Sequence, residues 1–144
     1  LITIILAIQN MKDLSAVAKN LTRLLKKDGK VVIVLNHPAF RVPQHSGWGT
    51  DTEKKVQYRH VDTYMSEMEI KIDMTPGKAV NKKMTLSYHR PLQVYSKAFS
   101  KEGFGIVKIE EWISHRKSDG PHAKMEDKAR KEIPMFMCFV LKKI

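Results

Sequence analysis

The chain has almost no cysteine and no long apolar run. Cys138 is the single cysteine among 144 residues, which excludes an intramolecular disulfide. It lies in the apolar run 135–141, where we expect an inert, buried thiol, and this usage favours a reducing, cytoplasmic setting. No apolar stretch approaches the roughly 20 residues that cross a bilayer, so no membrane association is expected. The apolar opening 1–8 lacks a preceding basic region and a cleavage site, so it is not expected to be a signal peptide.

Several catalytic patterns are also missing. There is no G-x-S-x-G elbow. The six histidines show no i, i+4 pair and Cys138 stands alone, so no metal site is predicted. Glu110 and Glu111 are neighbours on a predicted strand, where they would point to opposite faces and could not act as a carboxylate pair. No side chain is therefore assigned a catalytic role.

Acidic residues are scarce, with 15 against 26 basic residues and a net charge of +11. Such a balance can indicate an acidic partner or nucleic acid. The lysines, however, fall in scattered pairs, and no aromatic and basic stripe of the RNA-binding kind is present. A solvated surface is the preferred interpretation and nucleic acid is an unlikely partner.

The segment after Gly29 predicts a strand that ends abruptly. Residues 30–35 are a lysine and a run of aliphatic side chains, and Asn36, His37 and Pro38 follow. A continuous apolar strand of this kind is usually buried on both faces of a parallel sheet. Ligands of such sheets lie beyond the carboxyl ends of the strands, where His37 and Phe40 would be placed. Alternatively, the Asn-His-Pro sequence only ends the strand, since proline cannot continue a ladder.

Residues 1–8 predict a second buried strand, and a helix connects the two. Asp13 is the expected N-cap of a helix with apolar residues at i, i+3, i+4 and i+7 from Leu14 to Leu25. Strand, helix and strand would form one right-handed βαβ unit.

The rest of the chain predicts more elements within one domain, 1–144. Residues 41–51 are expected to be irregular, and a hairpin is predicted from strands 64–74 and 81–88 around a turn at 75–78. The hairpin and its approach form an insertion, or lid, over about 41–88. Pro91 is the expected first position of a helix that ends at Gly103. A strand 104–113, a short helix 122–131 and a last strand 135–141 follow.

These pieces and their order resemble the C-terminal half of a class I S-adenosylmethionine-dependent methyltransferase, and more narrowly the methyltransferase type 11 branch. The likeness runs over essentially the whole chain and depends on order and spacing. The matching pieces are 1–10, 25–34, 37–40 (HPAF), 58–64 (YRHVDTY), 89–92 (HRPL) and 103–112.

The resemblance implies an α/β fold, namely the C-terminal half of a Rossmann-like sheet with an inserted β-hairpin. Residues 1–8, 30–35, 104–113 and 135–141 would be its strands four, five, six and seven, in the spatial order 4, 5, 7, 6. The family's first three strands and its glycine-rich cofactor turn have no counterpart, since no G-x-G-x-G occurs. We therefore expect a fragment, or one half of a protein, with little cofactor affinity and no turnover of its own.

The resemblance also implies sites. Gln9 and Asn10 are the expected contacts to S-adenosylmethionine, or else a polar turn. Methyl transfer needs alignment and desolvation more than a nucleophilic side chain. The candidates for the acceptor wall are the histidine and aromatic side chains His37, Phe40, Tyr64 and His89, and Arg90 is the candidate clamp for an acidic acceptor. His37 is the strongest candidate, as a general base or a hydrogen-bonding wall, because imidazole titrates near neutrality. The others have plainer alternatives: a core plug for Phe40, hairpin packing for Tyr64, and capping or packing of the helix for His89 and Arg90.

The predicted function is that of the C-terminal fragment of an S-adenosylmethionine-dependent methyltransferase that acts on a small molecule and is inactive without its N-terminal half. A non-catalytic subunit or interaction module with the same half fold is the first alternative, and a basic nucleic-acid binder the last. Because residues 1–8 would form an unpaired apolar edge, we also expect a homo-oligomer through that strand or the adjoining helix.

Overall fold

The computed structural model describes residues 1–77 and 83–144. Eight strands, three α-helices and one short 3₁₀ turn (Ile8–Asn10) are defined there. In chain order the elements are β1 (Ile2–Ile5), α1 (Leu14–Leu24), β2 (Val31–Asn36), β3 (Ser46–Asp51), β4 (Val56–Val61), β5 (Met68–Asp73), β6 (Met84–His89), α2 (Leu92–Lys101), β7 (Phe104–Trp112), α3 (Ala123–Glu132) and β8 (Phe136–Lys143).

A four-stranded sheet in the order β1-β2-β8-β7 forms the centre of the fold. β1 and β2 are parallel, and β8 is antiparallel to both β2 and β7. The parallel pair has the βαβ connection through α1 that the sequence predicts, with Asp13 accepting a hydrogen bond from the Ala16 N–H at 2.8 Å as the N-cap. The α/β fold class is thus confirmed.

The core lies on one face of this sheet. Alternate residues of β2 and β8, such as Ile33 and Phe139, are fully buried against α1 and α2. Phe99 of α2 is also fully buried. Burying each of these large side chains stabilises the fold by about 2 kcal/mol.

β1 is less buried than the sequence predicts. The strand ends at Ile5 instead of continuing to residue 8, and its side chains alternate between half-buried and exposed. Ile5 is 63% exposed, since no strand in the described ranges pairs with the outer side of β1. The expectation of burial on both faces is therefore wrong for this strand.

The segment between β2 and α2 contains two hairpins instead of the single one expected. β3 pairs with β4 and β5 pairs with β6, both antiparallel. The expectation that 41–51 is irregular holds for 41–45 and is wrong for 46–51, where Gly47 and Gly49 are strand residues: the His60 and Tyr58 rings of β4 lie over them, where a Cβ would clash. In the second hairpin, the predicted turn residue Lys78 and the first predicted strand residues, 81–82, lie outside the described ranges.

The bounds of the remaining helices and strands agree with those predicted from the sequence to within a few residues. Pro91 is the N-cap of α2 and not its first helical residue, which places it one position earlier than expected. In the described part of the chain, none of the helices has the length and apolar character to cross a membrane.

Candidate functional site

An open cleft of about 400 Å³ lies beyond the carboxyl ends of β1 and β2. The segments after these strands, 6–10 and 36–46, form two of its sides, and the two hairpins form the others. Its volume is within the ~300–1,000 Å³ range of small-molecule sites. The lining residues are Leu6, Gln9, Asn10, Asn36, Arg41, Val42, Pro43, Gln44, Ser46, Arg59, Ile72, Met74, Thr85 and Ser87.

Gln9 and Asn10, the predicted cofactor contacts, both line this cleft from the 3₁₀ turn after β1. Gln9 Nε2 donates to the Leu6 carbonyl at 2.9 Å, while its Oε1 is buried and has no donor among the described residues. Asn10 Nδ2 donates to the Leu86 carbonyl of β6 at 2.9 Å. Gln9 therefore presents an unsatisfied acceptor, whereas Asn10 attaches the β5–β6 hairpin to the sheet.

His37 and Phe40 are not among the residues that line the cleft. The buried His37 ring accepts the Ala39 backbone N–H at Nδ1 (3.2 Å), so the neutral ring carries its proton on Nε2 and donates it to Glu111 at 2.8 Å. The Phe40 ring packs on it with 4.7 Å between the centroids. In this arrangement the pair fixes the segment after β2 against β7, and a role in substrate binding stays a prediction.

Tyr64 and His89 form a second pair, at the base of the β5–β6 hairpin. His89 Nε2 donates to the Tyr64 carbonyl at 2.8 Å, and the Tyr64 hydroxyl accepts the Leu92 N–H at 3.0 Å. The hydroxyl thus takes up a free N–H in the first turn of α2, which the N-cap Pro91 leaves without a side-chain acceptor.

Arg90 is buried, and its guanidinium donates to backbone carbonyl groups. Its Nη2 donates to the carbonyls of Met11 and Lys12 at 2.8 and 2.7 Å. Its Nη1 has no partner in the described part of the chain, and it lines a cavity of about 20 Å³ together with His89 and Gln9. A polar cavity of this size holds about one water molecule. Arg90 is thus a structural link between the segment before α1 and the residue after β6, with its Nη1 group left over.

Two arginines that the sequence analysis missed line the main cleft. Arg41 follows β2, and its guanidinium lies 5.0 Å from the centre of the Phe136 ring. Arg59 of β4 lies 5.2 Å from the centre of the Trp48 ring, and it donates to the Phe40 carbonyl (Nε, 2.8 Å) and to Ser46 Oγ (Nη2, 2.9 Å). In β4, Gln57 and Arg59 are half-buried while Val56 and Tyr58 are exposed, the reverse of the usual pattern, and no signal in the sequence indicates this reversal.

The charged side chains that line the cleft are all positive. Burial lowers the pKa of Arg41, and burial together with the Arg41 charge lowers the pKa of Arg59. Neither an aspartate nor a glutamate occurs among the lining residues. The two guanidinium groups therefore repel one another across a cleft without a compensating carboxylate.

Comparisons with known proteins give matches among solved structures only. No family model matches the chain, and no curated protein matches it. A Listeria monocytogenes protein assigned as an S-adenosylmethionine-dependent methyltransferase matches 99% of this chain at 23% identity with a TM-score of 0.68. An S-adenosylmethionine-dependent methyltransferase of Mesorhizobium loti matches 98% of it at 22% identity with a TM-score of 0.70.

A third structure, the glycopeptide N-methyltransferase MtfA in complex with S-adenosylmethionine, matches 99% of the chain at 11% identity with a TM-score of 0.52. The chain spans about 60% of the length of the first two structures and 53% of the third. At these identities the likeness establishes the fold alone. The chain has an α/β fold similar to that of the S-adenosylmethionine-dependent methyltransferases.

Proposed function

We propose that this chain is the acceptor-side half of an S-adenosylmethionine-dependent methyltransferase that acts on a small molecule in a reducing, cytoplasmic setting. The observation that carries the proposal is the cleft of about 400 Å³ beyond the ends of β1 and β2. It lies at the edge where open α/β sheets bind ligands, in a fold similar to that of known methyltransferases. In the proposed correspondence, β1, β2, β8 and β7 are the family's strands four, five, seven and six.

The residues of the cleft fit part of the cofactor. Gln9 Oε1 is a buried acceptor that lacks a donor within the described ranges, and it would accept a hydrogen bond from an amino group of S-adenosylmethionine. When bound, the cofactor supplies a methyl group on a sulfonium, which is activated for in-line displacement. The glycine-rich turn that would approach the rest of the cofactor is not present in the sequence.

The contribution of this chain to the reaction is positioning and desolvation. Ile72 and Met74 of the β5–β6 segment line the open cleft, and Asn10 holds the hairpin through Leu86. With an acceptor bound, apolar side chains at this position would limit the access of water and help to align the two reactants, which together would lower the barrier. No side chain is required as a nucleophile.

We propose further that the isolated chain binds the cofactor weakly and has no turnover, and that it self-associates. The weak binding follows from the incomplete cofactor site. Self-association is supported by the edge of β1 that has no partner strand among the described residues and by exposed apolar side chains of β1 and α1: Ile5 is 63% and Leu24 59% exposed. A second copy is the proposed partner of that edge.

Binding of S-adenosylhomocysteine to the ¹⁵N-labelled chain tests the function. At millimolar ligand, we expect the amide side-chain signals of Gln9 and Asn10 to shift, and the Gln9→Ala variant to lose part of the affinity. Gln93→Ala, on the exposed side of α2, is the matched control. Absence of shifts at the cleft would favour the non-catalytic interaction module, and micromolar affinity would contradict the weak binding.

A further inference from the structure

The main cleft contains a pair of arginines for which the fold provides no anion. Arg41 makes no side-chain hydrogen bond or ion pair with any described residue. Arg59 uses Nε and Nη2 for the Phe40 carbonyl and for Ser46, and within the same ranges its Nη1 has no partner. Both groups therefore have N–H donors available at the cleft.

Each guanidinium is held in place by an aromatic ring. Phe136 of β8 supports Arg41, and Trp48 of β3 supports Arg59. Stacking on a ring restricts the orientation of a guanidinium while leaving its N–H edge free. The pair is thus preorganised at the moment a ligand arrives, which reduces the entropy lost on binding.

A purely structural role does not explain this arrangement. Half-burying two like charges near one another destabilises the fold unless a counter-charge is present, and no acidic residue lines the cleft. Arg59 has a second, structural task, since it joins β4 to the segment after β2. Arg41 has no such task among the described residues, so a ligand is the simplest source of the missing negative charge.

We propose that Arg41 and Arg59 bind an oxyanion of the methyl acceptor, so that the acceptor is a small molecule carrying a carboxylate or a phosphate group. Guanidinium groups bind both kinds of oxyanion through paired N–H···O bonds. The neutral side chains of Asn36 and Ser87 line the same cleft and are available to the uncharged part of the acceptor. The identification of the ligand as a methyl acceptor rests on the proposed function, whereas the oxyanion site itself does not.

The test is titration of the ¹⁵N-labelled 144-residue chain with inorganic phosphate and with benzoate at constant ionic strength, followed at the Nε–H signals of Arg41 and Arg59. Both signals are expected to shift. Arg41→Gln should weaken binding about ten-fold, as expected for the loss of a charged hydrogen-bonding partner, and Arg41→Lys should weaken it less. Arg116→Gln, which removes an exposed charge from a loop, is the control and should bind like the native chain.

Two results would overturn the site. One is equal affinity of the native chain and Arg41→Gln; the other is equal loss in Arg41→Gln and Arg116→Gln, which would indicate a response to net charge alone. Amide spectra of each variant check that the fold is retained.

A competition experiment identifies the source of the oxyanion. S-adenosylhomocysteine has a carboxylate and 5′-methylthioadenosine does not. If only the former displaces phosphate, the arginines hold the cofactor's carboxylate and the assignment to the acceptor is wrong. If neither displaces phosphate while phosphate still binds at Arg41, the assignment to a separate group stands. Failure of the proposed function is a different result, in which S-adenosylhomocysteine does not shift Gln9 or Asn10 while phosphate shifts the arginines.

Discussion

His37 donates its Nε2 proton to Glu111 across 2.8 Å, which joins the segment after β2 to β7. The imidazole is buried and the carboxylate is 54% exposed. Replacing His37 with Ala should lower the free energy of unfolding by about 2–3 kcal/mol, because it removes both this bond and the contact with Phe40. Glu111→Ala should cost about 1 kcal/mol. Urea unfolding of both single variants and of the double variant measures their coupling, expected at about 1 kcal/mol; simple additivity would refute the interaction.

Tyr64→Phe should destabilise α2 without changing the volume of the side chain. The hydroxyl accepts the Leu92 N–H at 3.0 Å, and its loss leaves that donor without an acceptor in the first turn of the helix. The expected decrease in the free energy of unfolding is about 1 kcal/mol. Tyr58→Phe is the control, since Tyr58 is 48% exposed and should change stability much less. Equal effects in the two variants would contradict a role in capping.

The pKa of Asp62 should depend on its neighbours at the base of the β3–β4 hairpin. Hydrogen bonds from Thr63, which has the larger effect, and from His45 hold the pKa of this carboxyl below its usual value. Because the pKa is depressed in the folded state, the stabilisation is present above about pH 4 and is lost as the pH falls through the folded-state pKa. His45→Gln should raise the pKa of Asp62, as measured by ¹³C NMR of its carboxyl carbon. In His115→Gln, the control, the titration should not change.

The chain should self-associate through β1. Light scattering on the native chain should give a dimer or a larger assembly, and Ile5→Lys should shift it toward the monomer, because a charge on an edge strand opposes pairing. Val107→Lys places the same charge at an apolar, 53% exposed position of β7, the opposite edge of the sheet, and should leave the assembly intact. A monodisperse native monomer would rule out this prediction.

The central α/β pattern could be predicted because its signals are local. The aliphatic run of β2 and the spacing of Leu14, Leu21 and the other apolar residues of α1 each determine an element by its own periodicity. The β3–β4 hairpin could not be predicted in this way, because Gly47 and Gly49 have low strand propensity. Their place in β3 depends on the His60 and Tyr58 rings of the partner strand, which only pairing brings together.

The position of the candidate site could be predicted from the sequence, whereas only some of the residues that line it could. The end of an apolar strand locates the cleft, and Gln9 and Asn10 do line it. The hydrogen bonds of His37, Tyr64 and Arg90 run to residues far away in the chain, among them Glu111, Leu92 and Met11. These long-range hydrogen bonds give the three polar residues structural roles, and the periodicity of the sequence contains no information about such bonds.

The place of β8 between β2 and β7 has a consequence for biogenesis. During synthesis, β2 and β7 emerge from the ribosome with no ladder between them, since each bonds to β8 and not to the other. The sheet can therefore be completed only after residues 136–143 have been made, and until then the edge of β2 that pairs with β8 lacks that partner. Pairing partners so distant in sequence slow folding, and a strand edge that is still unpaired is exposed to aggregation in the meantime.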